Sequence, residues 1–348
     1  MADAITLPAA KLEAFAAAIF RAAGMSQEHA RNVAEVLIWA DLRGTPSHGV
    51  QRIPRYIEII DAGEMNVRAA IKVVKELPAS LLIDADRAPG QVAMRFAAAA
   101  AARKAKAGGV AFALVRRTTH TAALGYYTRL AALEGMAAIA GSASWPNMIY
   151  HGAREVGVAT NPLSIAVPRP KGEPMILDMA TGVVALGKIG YAARIGRPIP
   201  EGWALDEHGN PTTDPARAVL PLPLGGPKGS GLALMIECIA SLIAGNPIVA
   251  ESLEDTEEGK KHRQNAFILA IDIAAFGALE QFGASLARTI AGLKGLKRQD
   301  GVAEILMPGE RGDRELEERE RSGIAIPAAS WDAIGRVAAR FGVALPQA

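Results

Sequence analysis

Apolar residues recur at intervals of three and four through the first part of the chain, which is the period of amphipathic α-helices. The pattern predicts three helices, over residues 9–23, 26–43 and 50–63. Pro54 interrupts the third, because its ring would clash with the carbonyl of Val50 and bend or restart the helix. On a continuous helix, one polar face would carry three side chains at four-residue spacing, namely His48, Arg52 and Tyr56.

From about residue 76, strand-like and helix-like segments alternate. Strands are predicted at Ser80–Asp84, Val110–Arg116, Met136–Ala143, Leu163–Val167, Met175–Asp178 and Ala266–Ile273. Helices are predicted at Gln91–Ala107, Ala122–Glu134, Val183–Ala193, Gly231–Ala244 and Phe276–Leu293. The alternation favours a doubly wound parallel sheet, yet no G-x-G-x-x-G dinucleotide fingerprint follows any strand. Residues 251–263 are charged and without period, which predicts an exposed loop.

The length of the chain predicts more than one lobe, since 348 residues exceed the ~250–300 at which a single core stops growing. We divide the chain into a helical N-terminal domain over residues 1–75 and a central α/β region over residues 76–310. Residues 311–348 return to a charged, alanine-rich helical composition. We expect this C-terminal segment to pack on the N-terminal helices.

Composition excludes several classes of partner. The chain has 38 basic and 36 acidic side chains with no long block of one sign, so nucleic-acid binding is not expected. Its longest apolar stretch, Leu232 to Ala244, contains Glu237 and is shorter than the ~20 residues that span a bilayer. The single cysteine, Cys238, predicts a reduced, buried thiol. The six histidines show no metal-binding spacing, so we predict a cytoplasmic protein without a metal.

Polar side chains are densest between Asp41 and Tyr56. His48 can give or take a proton near neutral pH, and the planar fork of Arg52 matches a carboxylate. Together they predict a site that holds a small acid and moves a proton on it. Ser47 is either a helix cap or a contact for the substrate. A Ser-His hydrolase is disfavoured, because adjacent residues rarely aim at each other and no G-x-S-x-G elbow occurs.

Three further features are candidates for chemistry. His120 follows a predicted strand, where functional and structural roles are equally open. Asp178 ends another strand, and either caps a following helix, as Thr181 could, or orients an imidazole or meets a cofactor hydroxyl. The glycine-rich loop Gly225–Gly231 leads into a helix and carries Lys228. Such a loop is either an anion site or a simple turn.

Eight stretches, taken in order, resemble the type 2 malate/L-lactate dehydrogenase family, which includes ureidoglycolate, sulfolactate, diketogulonate and piperideine-2-carboxylate oxidoreductases. They are Asp41–Gly49 with Arg52 and Tyr56, Thr119–His120 with Gly125–Tyr127, Thr160–Pro162, Leu177–Thr181 with Gly187–Lys188, Gly202–Asp206, Pro211–Pro215, Gly225–Leu232 and Pro308–Glu310. The resemblance covers nearly the whole chain. It departs at Pro227, Ser230, Gly182 and Thr121–Ala123, where the family usually has other residues.

The resemblance implies an α/β fold in which a non-Rossmann NAD(P)-binding domain, with a mostly antiparallel sheet flanked by helices, joins a helical domain. We follow it over the parallel sheet that alternation favours. It also implies NAD or NADP as cofactor, a small carboxylate substrate and a homodimer. Residues 1–75 would then form the substrate side and residues 76–310 the cofactor-binding and central region.

By position, the resemblance assigns His48 and His120 as alternative proton donors, with Ser47, Arg52 and Tyr56 around the substrate. It assigns the cofactor contacts to Asp178, Met179, Ala180, Lys228, Gly229, Pro308, Gly309 and Glu310. Asp178 is also a candidate for orienting His48. We therefore expect an enzyme that interconverts a 2-oxo acid, or a cyclic imine 2-carboxylate, with the 2-hydroxy or amino acid. The alternative is a catalytically silent anion-binding protein on the same scaffold.

Overall fold

The computed structural model describes residues 4–194, 196–254 and 263–347. The strands of these residues are β1 (Ala4–Leu7), β2 (Lys72–Leu77), β3 (Ser80–Asp84), β4 (Val110–Thr118), β5 (Met136–Ser144), β6 (Met148–Ile149), β7 (Val156–Val158), β8 (Leu163–Val167), β9 (Met175–Met179), β10 (Ala204–Leu205), β11 (Pro211–Thr212), β12 (Leu220–Pro221), β13 (Gln264–Asp272) and β14 (Ile324–Pro327). The helices are α1 (Ala9–Ala22), α2 (Gln27–Leu42), α3 (Ile53–Asp61), α4 (Gly90–Gly108), α5 (Gly125–Leu133), α6 (Leu186–Arg194), α7 (Pro227–Glu237), α8 (Val249–Leu253), α9 (Leu279–Lys294), α10 (Glu310–Ser322) and α11 (Ala328–Arg340).

The central sheet has seven strands in the order β2-β3-β4-β13-β5-β8-β9. Only β3 and β4 are paired in parallel, and every other pair in this sheet is antiparallel. The mostly antiparallel sheet is thereby confirmed, and the doubly wound parallel sheet is wrong. The reason is β13, which arrives late in the chain and lies between β4 and β5, antiparallel to both. The alternation of strands and helices along the chain cannot reveal that a distant strand lies between two earlier ones.

Helices pack on the sheet and extend its core. The largest cluster of buried side chains joins the N-terminal helices to α4, α5 and the central strands. Ile324 and Trp331 from the C-terminal segment belong to the same cluster. That segment also pairs β14 with β1 in antiparallel register and packs α10 against α2. The domain boundaries at residues 75/76 and 310/311 remain predictions. Side chains from both sides of each boundary belong to the same buried cluster.

Several local predictions can be compared with the structure. Ser26 caps α2, accepting a hydrogen bond from the His29 amide at 3.1 Å. Cys238 is only half-buried and begins a π-helical turn, Cys238–Leu242, that follows α7. Within the expected loop, α8 extends to Leu253, and residues 255–262 lie outside the described part. No helix in the described ranges is long and apolar enough to cross a membrane.

Candidate active site

The segment that carries His48 does not form a continuous helix. Two short 3-10 turns, Pro46–His48 and Val50–Arg52, precede α3, which begins at Ile53 with Pro54 in its first turn. The helix therefore restarts where the proline ring is tolerated, since the first turn has no intrahelical donor to lose. The four-residue spacing of His48 and Arg52 consequently does not make them neighbours on one helical face.

The buried side chain of Asp41 fixes the backbone of this segment. Its carboxylate Oδ2 accepts a hydrogen bond from the Val50 amide at 2.8 Å. A β-carbon on Gly49 would lie 2.0 Å from Oδ1 of Asp41, so only glycine lets the chain pass this close. Burial raises the pKa of Asp41 to about 7, against the opposing effect of the Val50 hydrogen bond. Sequence reasoning recorded Asp41 only as part of a motif and missed this role.

Ser47 and His48 contact each other directly. The Ser47 hydroxyl lies 3.1 Å from Nδ1 of His48, so the expectation that adjacent side chains would not meet is wrong. Capping by Ser47 is also wrong, because Ser47 lies inside the first 3-10 turn and Thr45 precedes that turn. Burial, and secondly the charge of Arg52, lower the pKa of His48 to about 4. His48 is therefore neutral in the free protein at neutral pH.

Arg52 is a half-buried cation beside these groups. Its Nε donates to the carbonyl oxygen of Ser47 at 2.6 Å, which fixes the side chain. No carboxylate in the described part of the chain forms an ion pair with it, unlike Arg43, which pairs with Asp313. The guanidinium is thus anchored at one nitrogen, while its two terminal nitrogens pair with no anion among the described residues.

His120 meets the substrate-side residues from another direction. Its ring stacks on that of His48, with centroids 5.5 Å apart and planes 25° apart. Its Nδ1 lies 2.7 Å from the hydroxyl of Tyr56, which is buried. Gln91 donates to the same hydroxyl at 2.7 Å. The structure brings the predicted residues 47, 48, 52, 56 and 120 together, and adds Gln91, which sequence reasoning missed.

Asp178 lies at the end of β9, in the site but not against His48. Its Oδ2 accepts a hydrogen bond from the amide of Gly125, the first residue of α5, at 2.7 Å. No hydrogen bond joins it to His48 in the described residues, so the orienting role is not seen. Desolvation of the carboxyl raises the pKa of Asp178 to about 6, against the opposing effect of the Gly125 hydrogen bond, while the residue as a whole is exposed to solvent. Capping by Asp178 or Thr181 is wrong, because α6 begins only at Leu186.

The predicted cofactor contacts converge on β9 and the turn after it. Thr181 O accepts from the Leu224 amide, and Leu224 O accepts from the Gly229 amide, both at 2.8 Å. A β-carbon on Gly229 would lie 2.5 Å from Leu224 backbone atoms and 2.6 Å from Thr181 O. On the other side, a β-carbon on Gly309 would lie 3.0 Å from Ile176 O. Residues 178–180, 228–229 and 308–310 therefore border one strand and its turn.

These residues fit an anionic nucleotide. The Lys228 side chain is exposed at the start of α7, where helix geometry also favours negative charge. The Thr181 hydroxyl is buried and has no hydrogen-bond partner in the described residues. The Gly229 amide, by contrast, is occupied by Leu224, so Gly229 contributes close packing rather than a free donor. The fold and the site agree with the non-Rossmann NAD(P)-binding proteins that the sequence resembles.

Comparison with known proteins identifies the family. A family model described as malate/L-lactate dehydrogenase matches residues 7–335. The chain is 36% identical to malate dehydrogenase of Pyrococcus horikoshii, with 97% of this chain and 96% of that protein covered. It is 35% identical to ureidoglycolate dehydrogenase (NAD(+)) of Escherichia coli, with 87% of each covered. The crystal structure of malate dehydrogenase from Entamoeba histolytica matches it with a TM-score of 0.94 at 26% identity, covering 99% of this chain and 100% of that one.

The chain belongs to the malate/L-lactate dehydrogenase family. Membership confirms the predicted family and the prediction of an enzyme, an NAD(P)-dependent oxidoreductase of hydroxy acids. The three relatives are all named as dehydrogenases, so nothing favours the catalytically silent alternative.

Proposed function

We propose that this enzyme reduces a 2-oxo acid, or a cyclic imine bearing a 2-carboxylate, with NADH or NADPH, and also runs the reverse oxidation. One observation carries the choice of a carboxylate substrate. Arg52 is a half-buried cation without a carboxylate partner in the described residues, and its charge acts on His48, which stacks on His120. A charge in that position is costly unless an anion offsets it, and a substrate carboxylate does so.

Arg52 is suited to grip that carboxylate with both terminal nitrogens. Its Nε is already committed to Ser47 O, which leaves the end of the fork for a bidentate, charge-assisted pair. Ser47 and Tyr56 border the same space. The carboxylate would therefore be held in one plane, with C2 of the substrate directed toward the paired imidazoles.

Bound NADH or NADPH would supply the hydride to C2, and His48, once protonated, would give its proton to the substrate oxygen or nitrogen and return to the neutral imidazole. The carboxylate offsets the charge of Arg52, which is one of the two factors that lower the pKa of His48. Substrate binding thus makes the imidazole easier to protonate just when a proton is needed. A positioned general acid of this kind contributes ~10²–10⁴-fold in rate.

The cofactor is proposed to lie along β9 and the turn after it. Asp178, Met179 and Ala180 would border it, Lys228 would pair with a phosphate, and Gly229 would keep the glycine-rich loop close to Thr181. Pro308, Gly309 and Glu310 would close the other side. Lys228 is exposed, and the Glu310 carboxylate already accepts from Lys294 at 2.8 Å, which holds this turn in shape.

His48→Ala tests the proposal. We expect loss of turnover by ~10²–10⁴-fold with any accepted 2-oxo acid, while titration of the protein with NADH or NADPH is largely unchanged. His208→Ala, at a histidine whose side chain is 70% exposed, is the matched control and should behave as wild type. Turnover that survives His48→Ala but is lost in His120→Ala would reassign the proton donor to His120. A wild-type protein that oxidises neither cofactor with malate-, lactate-, sulfolactate-, ureidoglycolate- or imine-type partners would refute the function itself.

We also propose a homodimer and a cytoplasmic location. The dimer is supported by exposed apolar side chains on α7, on the π-helical turn and at the residue after it, with Met235 55%, Leu242 51% and Ile243 66% exposed. Exposed apolar surface of this kind marks protein–protein contacts. The cytoplasmic location is supported by the single cysteine, since disulfides are rare in that compartment.

A further inference from the structure

A line of buried polar groups leads to His120 and takes no part in the steps proposed above. Gln91 is fully buried near the start of α4, and its Nε2 donates to the Tyr56 hydroxyl oxygen at 2.7 Å. The same hydroxyl lies 2.7 Å from Nδ1 of His120. An amide, a phenol and an imidazole are therefore joined in sequence, and the line ends at a ring stacked on His48.

The direction of these hydrogen bonds follows from the number of protons available. A phenol has one O–H, and Tyr56 uses a lone pair to accept from Gln91. Its own proton is then directed to Nδ1 of His120, which must accept. Burial raises the pKa of Tyr56 far above its usual range, so the phenol keeps the proton that it donates. A neutral imidazole that accepts at Nδ1 carries its proton on Nε2.

If the oxygen and nitrogen of the Gln91 amide were exchanged, both hydrogen bonds from Gln91 through Tyr56 to His120 would reverse direction. The surroundings of Gln91 disfavour this exchanged orientation. The Oε1 atom is buried and has no hydrogen-bond partner in the described residues. Exchange of the two ends would move an NH₂ group into that position. In the orientation of the structure, one N–H and the carbonyl oxygen of the amide lack partners in the described residues. The exchanged amide would leave two N–H groups without an acceptor, and a buried N–H without a partner is rarer in proteins than a buried carbonyl oxygen without one.

The start of α4 also fixes the backbone of His120. The Gly90 amide donates to the Thr119 hydroxyl at 3.1 Å. A β-carbon on Gly90 would lie 2.4 Å from the carbonyl oxygens of both Thr119 and His120, so the helix touches this backbone directly. Two consecutive residues of α4 thus act on His120: Gly90 on its main chain, and Gln91 on its ring through Tyr56.

We propose that Gln91 is a positioning residue that, through Tyr56, keeps the imidazole proton of His120 on Nε2. The consequence for catalysis rests on the proposed function. In this tautomer His120 donates a hydrogen bond to the reacting oxygen or nitrogen of the substrate and cannot serve as the base that removes its proton. His48 moves the proton, and His120 stabilises the charge that develops on the same atom.

The tautomer can be read directly by nitrogen NMR of protein labelled with ¹⁵N-histidine, at a pH where His120 is neutral. The His120 signals are identified by their absence in His120→Asn. We expect Nδ1 to appear as the unprotonated nitrogen and Nε2 as the protonated one. The opposite pattern in wild type overturns the proposal.

Gln91→Glu should invert the tautomer. Burial raises the pKa of the introduced carboxyl, so the variant is measured at a pH above that value, where the group is ionised. An ionised carboxylate only accepts hydrogen bonds, so Tyr56 would donate to it and His120 would have to donate from Nδ1. We expect kcat for reduction to fall by ~10²–10³-fold, the usual loss when a donor to a developing oxyanion is removed, with little change in KM for the cofactor. As the pH falls and the introduced carboxyl takes up a proton, it can donate again, and both the wild-type tautomer and part of the activity should return.

Two further variants keep the test decisive. Gln91→Met removes the donor without adding charge and should give a mixture of both tautomers and an intermediate kcat. Gln281→Glu makes the same chemical change at an exposed position of α9 and should leave both readouts unchanged. An unaltered His120 spectrum in Gln91→Glu and Gln91→Met would overturn the role of Gln91. The expected tautomer in a wild-type protein without any reductase activity would support the relay while refuting the proposed function.

Discussion

At the scale of single residues, burial shifts the pKa values of several groups in the site. Asp41 is the clearest case, since its carboxylate is enclosed while it holds the amide of Val50 at 2.8 Å. That hydrogen bond fixes the second 3-10 turn and thereby the spacing between His48 and Arg52. A neutral acceptor would bind the Val50 amide in the same way, without the free-energy cost of burying a charge.

Asp41→Asn should therefore alter how stability depends on pH. The pKa of Asp41 rises from 3.8 to about 7 on folding, so the folded state binds more protons between these values. The stability that this carboxyl contributes is complete below pH 3.8 and is lost as pH rises to about 7, with a slope of at most about 1.4 kcal/mol per pH unit. The amide keeps an acceptor for Val50 and removes this slope. Urea unfolding of both proteins across the range checks it, and identical slopes would show that Asp41 ionises normally.

At the scale of elements, short contacts between backbones join the two halves of the site. The glycine-rich loop approaches the turn after β9 through Gly229, where a β-carbon would lie 2.5 Å from Leu224. Both partners there are backbone atoms, which cannot rotate away as a side chain would. The same helix offers a contrast at Gly231, whose β-carbon would meet nothing within 4 Å.

Gly229→Ala and Gly231→Ala thus form a matched pair on α7. Alanine at position 229 should cost about 1–3 kcal/mol and displace Lys228, with a marked loss of NADH or NADPH affinity. Alanine at position 231 should be neutral or stabilise by up to about 1 kcal/mol, because alanine is the better helix former. Thermal unfolding and cofactor fluorescence titration measure both effects. Equal behaviour of the two variants would mean that the loop adapts and does not depend on this contact.

The elements themselves were largely predictable from the sequence, because their signals are local. The strand Leu163–Val167 matches its prediction at both ends, and Ser26 caps α2 as expected. The order of strands was not predictable from pattern, since β13 enters the sheet from far along the chain. The antiparallel sheet came from the family resemblance alone.

The residues of the candidate site also fall into those that local sequence pattern predicted and those that it did not. Dense polar character identified residues 47, 48 and 52, and the predicted elements made His120, Asp178 and Lys228 candidates. The resemblance added the substrate role of Tyr56 and the remaining cofactor contacts. Gln91 could not be found, because a glutamine at the start of an alanine-rich helix carries no signal until a tyrosine 35 positions away is known to lie beside it. The contact between Ser47 and His48 was also missed, since 3-10 geometry directs neighbouring side chains differently from an α-helix.

At the scale of the whole molecule, one surface is left apolar. Met235 on α7, Leu242 at the end of the π-helical turn and Ile243 directly after it are each more than half exposed. α7 also begins with the proposed phosphate contact, so a second copy bound here would stabilise the helix that carries Lys228. Assembly and cofactor binding would then be linked.

Ile243→Glu should dissociate the proposed dimer, because it introduces a charge where apolar surface would be buried. Analytical ultracentrifugation should show a dimer for wild type and a monomer for the variant at the same concentration, with weaker cofactor binding. Leu133→Glu, at a leucine of α5 that is 53% exposed, is the control and should remain dimeric. A wild-type monomer, or dissociation by Leu133→Glu alone, would contradict this interface.

The charge of Arg52, which has no carboxylate partner in the described part of the chain, also governs how the site responds to the solution around it. A half-buried guanidinium anchored only at Nε attracts whichever small anion is present, so acetate, citrate or phosphate in a buffer should compete with the substrate. Any such ion offsets the charge that, after burial, lowers the pKa of His48. Its arrival therefore raises the pKa of His48 toward the ordinary value, and the affinity of the site for small anions should rise as the pH falls. Capture of the substrate and protonation of the site are thereby coupled.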